Sequence, residues 1–278
     1  MNARRDSTRG AVLAAALSVV LAAGACATGE LPTAEEIKQE NAESRARQLV
    51  RVGDASRAGG DAASALAFYQ RARTKWPEWD EPYRRIGETA LVLGMAAEAA
   101  EAYTRLSALA PGDAAVQLGL GRALIALDRP DDAQAAFKAA RAADPKDHRA
   151  LNGLGIARDL TGDHAGAQDF YRQGLVLQPD SPSLKNNLGL SLALSGKFDD
   201  AIRVLGEAAK SPAAGPRARQ NLALVYGLSG DMDRAARIGR LDLTERQVQS
   251  NLKRYEALRK LSDKARARAV HTGQEPDG

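Results

Sequence analysis

The chain has 278 residues, 44% of them apolar but only 4% aromatic, so alanine and leucine supply most of its apolar surface. That balance suits closely spaced helices and argues against a β-sandwich, which wants Val, Ile and aromatics. The net charge of +4 comes with no DNA- or RNA-reading motif, so the pI near 9.2 gives no ground for a nucleic-acid partner. The single cysteine, Cys26, excludes an internal disulfide and a Cys-based metal cluster.

Arg4, Arg5 and Arg9 begin the chain with positive charge, and Ala11 to Ala23 is apolar apart from Ser18. The run is shorter than the ~20 residues a helix needs to cross a bilayer. A basic start, a short apolar core and small residues before a cut site describe a secretory signal over residues 1–25. Its removal takes away three Arg and one Asp and leaves a net charge of +2. Leu21-Ala22-Ala23-Gly24-Ala25-Cys26 resembles a bacterial lipobox, with Ala23 where Leu is usual. The resemblance implies acylation of the Cys26 thiol and a membrane anchor through that lipid. Ala27, which is not the Asp of inner-membrane retention, implies an outer-membrane lipoprotein facing the periplasm. Ordinary secretory cleavage nearby, with Cys26 incidental, is the alternative.

Residues 26–45 read as a tether followed by an N-terminal helix. Thr33 with Glu36 three residues on forms a capping-box pattern. The clearest unit lies further on, from Leu151 to Pro179. Leu151, Leu154, Gly155 and Arg158 fall on one helical face. Gly162-Asp163 breaks the pattern, with Gly suited to a left-handed position and Asp to an N-cap. Ala167, Phe170, Tyr171 and Gly174 restart the spacing on a second helix.

The unit recurs every 34 residues. Pro77, Pro111, Pro145 and Pro179 keep that step, as do Gly53, Gly87, Gly121, Gly155 and Gly189. So do Ala65, Ala99, Ala133, Ala167 and Ala201, and Tyr69, Tyr103, Phe137, Tyr171 and Leu205. This pattern resembles the tetratricopeptide repeat. Repeats are placed at 46–79, 80–113, 114–147, 148–181 and 182–215, with a degraded sixth copy at 216–243. In that copy Gly239 stands where an aromatic belongs and Asp242 where a small residue belongs. The third repeat carries Asp128-Arg129-Pro130 in place of the Gly-Asp turn. Residues 244–264, with Val248, Leu252, Tyr255, Leu258 and Leu261 on one face, are expected to form the capping helix a solenoid needs. Residues 265–278 lack periodicity and are expected to be disordered. The resemblance implies an all-α fold, a right-handed superhelical solenoid of helix-turn-helix repeats with a C-terminal capping helix.

Nothing in the sequence assembles a catalytic or metal site, and no cofactor is implied. His148, His164 and His271 have no second histidine at metal spacing, and H-E-x-x-H is absent. The first two sit at a helix start and a turn, the third in the tail. Gly119-Leu120-Gly121 lies inside a helix and reads as small-residue packing. Asp131-Asp132 and Asp199-Asp200 begin second helices, where they favour the helix dipole.

Binding is the remaining function class. By analogy with the repeat family, the concave groove is lined by the second, fifth, ninth and twelfth residues of each repeat. Those positions supply Arg47, Arg57, Arg84 and Arg122 with Glu81 and Glu88 toward the N-terminal side. Toward the C-terminal side they supply Leu118, Ile125, Asn152, Ile156, Asp159, Asn186, Leu190 and Ala193. Some of these can instead contact the neighbouring repeat. Asn side chains donate and accept, which suits an extended peptide backbone. The arginine set does not match repeats that clamp a C-terminal carboxylate. From Thr244 to His271 there are eight Lys/Arg and three Asp/Glu, which reads as a solvated face, with contact to anionic lipid near the anchor as the alternative.

Arg219 to Asp231, reading RQNLALVYGLSGD, with Ala235-Ala236, Asp242-Leu243, Asn251-Leu252 and Tyr255, resembles the C-terminal end of the TadD family. Leu184-Lys185-Asn186-Asn187-Leu188-Gly189 fits as well. That family comprises the tetratricopeptide lipoproteins of the tight-adherence (Flp) pilus machine. The resemblance implies a non-enzymatic assembly factor whose partner is the pilus secretin, helped to localise or oligomerise. A general envelope adaptor for peptidoglycan enzymes or outer-membrane assembly factors is the alternative.

Overall fold

The computed structural model describes residues 33–210 and 215–273. The expected signal sequence, Cys26 and the expected tether lie outside the described residues. Contacts divide the chain into Met1–Gln39 and Glu40–Gly278. The description below concerns the second unit, apart from the first turns of the helix that begins at Ala34.

All regular structure among the described residues is helical. The helices are α1 (Ala34–Ala58), α2 (Ala62–Lys75), α3 (Asp80–Val92), α4 (Ala96–Leu109), α5 (Ala114–Ala126), α6 (Pro130–Ala143) and α7 (His148–Leu160). Then come α8 (His164–Leu177), α9 (Pro182–Leu194), α10 (Phe198–Lys210), α11 (Gly215–Ser229), α12 (Met232–Gly239), α13 (Glu245–Lys260) and α14 (Asp263–Thr272). Each helix packs on the next from α2 onward, and the first helices of adjacent repeats also touch: α3 with α5, α5 with α7, α7 with α9 and α9 with α11. Consecutive pairs therefore stack as a solenoid whose first helices form one layer. Residues 34–58 make one unbroken helix, so the expected N-terminal helix and the first helix of the repeat at 46 are continuous.

The 34-residue period has a packing cause. Each periodic aromatic wedges against a glycine of its own repeat: Tyr69 against Gly53, Tyr103 against Gly87, Phe137 against Gly121 and Tyr171 against Gly155. A Cβ built on those glycines would lie 2.3–2.7 Å from a ring carbon, closer than van der Waals contact allows. The next repeat adds a second glycine where Gly119 meets Tyr103 and Gly153 meets Phe137. Gly119-Leu120-Gly121 is thus a packing feature: its two glycines admit two different rings.

Aspartates close the turns. Asp61, Asp163 and Asp231 accept hydrogen bonds from backbone N–H groups of Ser64, Gly166 and Arg234, and so cap second helices. Asp113 and Asp147 cap the first helices α5 and α7.

The sixth copy repairs itself from outside. Its second helix, α12, ends at Gly239, which meets Val248 of α13, while Tyr255 of α13 lays its ring on Gly227, one helical turn past the periodic position 223. Asp242, its side chain only 12% exposed, is neutralised by the Arg219 guanidinium at 2.5 and 2.7 Å. The chain does not fray after α13. Where disorder was expected beyond 264, α14 runs to Thr272, capped by Ser262 and ended by left-handed Gly273. Arg266 ties it to the end of α13 by donating to the carbonyls of Leu258 and Leu261 at 3.0 and 2.8 Å.

Candidate functional site

The inner layer carries two different environments. Toward the N-terminus, α1 and α3 exchange charges near solvent. Arg85 reaches Asp54 at 3.2 Å and Glu81 at 2.9 Å, Arg57 reaches Glu88 at 3.1 Å, and Arg84 reaches Asp113 at 2.8 Å. Tyr69 donates to Asp54 at 2.8 Å. Burial first, and that carboxylate second, push the Tyr69 phenol up to about 12.

Further along lies Asp159, fully buried on α7. Its Oδ1 accepts from His164 Nδ1 at 2.8 Å and from Ser191 Oγ at 2.7 Å. Its Oδ2 accepts from Tyr171 at 2.9 Å and from His271 Nε2 at 3.1 Å. Four donors from α8, α9 and α14 thus converge on one carboxylate. Burial alone would raise its pKa; the hydrogen bonds from His164 and His271, with the His271 charge and Ser191, outweigh this and hold it below the ordinary aspartate value. Burial and the Asp159 charge push the Tyr171 phenol well above its usual range.

Beside this cluster is a cavity of about 510 Å³ between α7, α9, α11 and α14. Its lining includes Asn152, Asn186, Asn187, Asn221, Ile156 and Leu190, with Arg217 at the rim. Asn187 donates to Asn152 Oδ1 at 2.8 Å. Asn186 is 5% exposed and its Oδ1 has no hydrogen-bond partner. A buried acceptor left open costs about 1–3 kcal/mol, which an incoming N–H would recover.

The tetratricopeptide repeat model matches residues 84–133, 118–182 and 186–245, more than half of the chain. The chain belongs to the tetratricopeptide repeat family. A search of the curated proteins finds no match. Among solved structures it is similar to PilW, a type IV pilus biogenesis factor, with TM-score 0.60 and 19% identity over 79% of this chain and 96% of that one. Pseudomonas aeruginosa PilF gives 0.57 and 17% over 77% and 99%. YrrB, a repeat protein with an unusual peptide-binding site, gives 0.52 and 20% over 66% and 94%. These likenesses show the fold. Tetratricopeptide repeats are protein-interaction scaffolds and generally not enzymes. No group of His, Cys, Asp or Glu among the described residues is arranged to hold a metal ion. No helix among them is long and apolar enough to cross a membrane.

The residues singled out in the sequence meet different fates. Asn152, Ile156, Asn186 and Leu190 meet at the cavity, with Leu190 also packed into the core. Arg122 is exposed, and Arg84 is occupied by Asp113. Leu118 is buried against the third repeat's core with Ile125 packed beside it, so the fold itself uses both. Asp159, expected to line the partner-binding groove, is instead sealed by its own chain. His164 and His271, placed at a surface turn and in a disordered tail, are instead buried partners of that carboxylate. No periodic signal marked them. The paired aspartates stay on exposed first turns, where Asp132 and Asp200 meet Arg129 and Arg203.

Proposed function

We propose that this protein is a periplasm-facing lipoprotein scaffold that uses its inner layer to bind a segment of a Tad/Flp pilus secretin and so assists its assembly or localisation. Support for binding comes chiefly from one observation: the buried, unpartnered Asn186 Oδ1 at the wall of an open, asparagine-lined cavity. Support for the partner comes from the resemblance of residues 219–255 to the TadD family and from a fold neighbour, PilW, named for type IV pilus biogenesis. Support for the anchor is the Leu21–Cys26 motif.

Mature protein immobilised through an added tag should retain the secretin from detergent-solubilised envelopes, and Asn186→Leu should lower retention. Retention unchanged by Asn186→Leu would remove the cavity from the interface. Cys26→Ser should release the protein from the membrane fraction; unchanged attachment would sink the anchor.

A further inference from the structure

The last helix does not simply extend the end of the solenoid. α14 turns back from α13 and lies against α7 and α9, first helices of the fourth and fifth repeats. His271, its side chain 3% exposed, reaches Asp159 across 112 residues of chain. Three residues earlier, Arg268 pairs with Asp128. Positions three apart share a helix face, so one face of α14 offers two groups to two carboxylates. Ala267 and Ala269, on either side of Arg268, are buried, and their small side chains suit a close approach of the backbone.

Asp128 is an independent sign that this contact is built. The turns inside the repeats place Gly94, Gly162, Gly196 and Gly230 at φ between 73° and 96°, each a multiple of 34 residues from the others. The same position in the third repeat is Asp128, at φ 57°, which is the one non-glycine residue with positive φ among the described residues. Aspartate is among the few residues besides glycine that reach this conformation, at a steric cost that glycine avoids. What aspartate supplies there, and glycine cannot, is the carboxylate that meets Arg268.

We propose that the turn after α5, together with α7 and α9, forms a receptor for a basic α-helix, and that α14 occupies it in cis. A partner helix would displace α14 by presenting two basic or imidazole donors three residues apart over a small-residue face. This rests on the scaffold reading above and names the kind of segment recognised.

The test uses full-length protein and a labelled peptide with the sequence of Ser262 to Gly273, followed by fluorescence anisotropy. The wild type should bind weakly, because α14 competes. The Arg268→Ala/His271→Ala protein, whose α14 is loosened, should bind the peptide about tenfold more tightly, since affinity scales with the fraction of open receptor. Adding Asp128→Gly, which restores the residue of the sister turns, should lower that affinity again. No binding to the double variant, or equal binding of a peptide whose own Arg268 and His271 equivalents are alanine, overturns the proposal. Asp128→Gly alone guards against misfolding: faster hydrogen exchange confined to α14 supports the anchor, and unchanged exchange overturns it. Secretin capture separates the two readings. Stronger capture by the double variant supports the receptor, and equal capture overturns it while leaving the scaffold reading in place. Absence of capture by either protein, with the peptide still bound, sinks the secretin as partner and leaves the receptor standing.

Discussion

The two ends of the inner layer handle carboxylates in opposite ways. Asp54 keeps about a third of its side chain in solvent and shares Arg57, Arg85 and Tyr69 with Glu81 and Glu88 nearby. Asp159 has no solvent and is satisfied by four donors drawn from three other helices. An exposed network of this kind loses one member at little cost, because water replaces it. A sealed carboxylate makes its surroundings depend on it, because each donor would otherwise be stranded. The same repeat geometry therefore gives a tolerant surface at one end and a committed one at the other.

The sharpest way to break that contrast is to delete both acids. Asp159→Ala should lower unfolding free energy by about 3–5 kcal/mol, as removal of one partner from a buried charged cluster does. Asp54→Ala should cost about 1 kcal/mol, chiefly the lost hydrogen bond from buried Tyr69. Urea unfolding measures both, and equal losses would erase the distinction.

Next in size is the wedge, which both ends share. Gly155→Ala and Gly53→Ala each drive a methyl into a tyrosine ring and should cost about 1–3 kcal/mol. Similar losses at the two sites would show that the contrast lies in the polar groups and not in the packing.

Acid separates the ends by a different route. The folded pKa of Asp159 lies below its unfolded value of about 3.9. Its stabilising contribution is therefore complete above about pH 4 and is lost as pH falls through the folded value. Stability measured downward from pH 5 should decline in that range, and Asp159→Asn should flatten the decline. The smallest effect belongs to the exposed pair Arg57–Glu88. Its double-mutant coupling should be about 0.2–1 kcal/mol and should shrink in high salt.

How much of this was legible from residues follows from what each feature buries. Gly155 and Tyr171 recur because a ring needs a gap, and that need repeats wherever two helices stack. The repeats, turns and caps were readable for that reason. The place of Asp159 in its repeat was readable too, as a position of the inner layer. Its fate was not, because the donor that completes it stands 112 residues away. α14 itself gave no pattern: the residues it buries are alanines and a histidine among arginines, so no apolar stripe marks it. Asp128 was visible as an irregular turn, but its meaning required Arg268. Similarly, Gly239 announced a missing ring, and only the packing revealed that α13 sets Val248 against it and Tyr255 against Gly227.

The docking of α14 is tested most directly by amide hydrogen exchange of residues 262–273 in the intact protein. Protected amides throughout α14, with protection lost in His271→Ala while that of α2 to α6 is unchanged, are the expected result. Exchange of these amides at the rate of an unstructured segment in the wild type would contradict it.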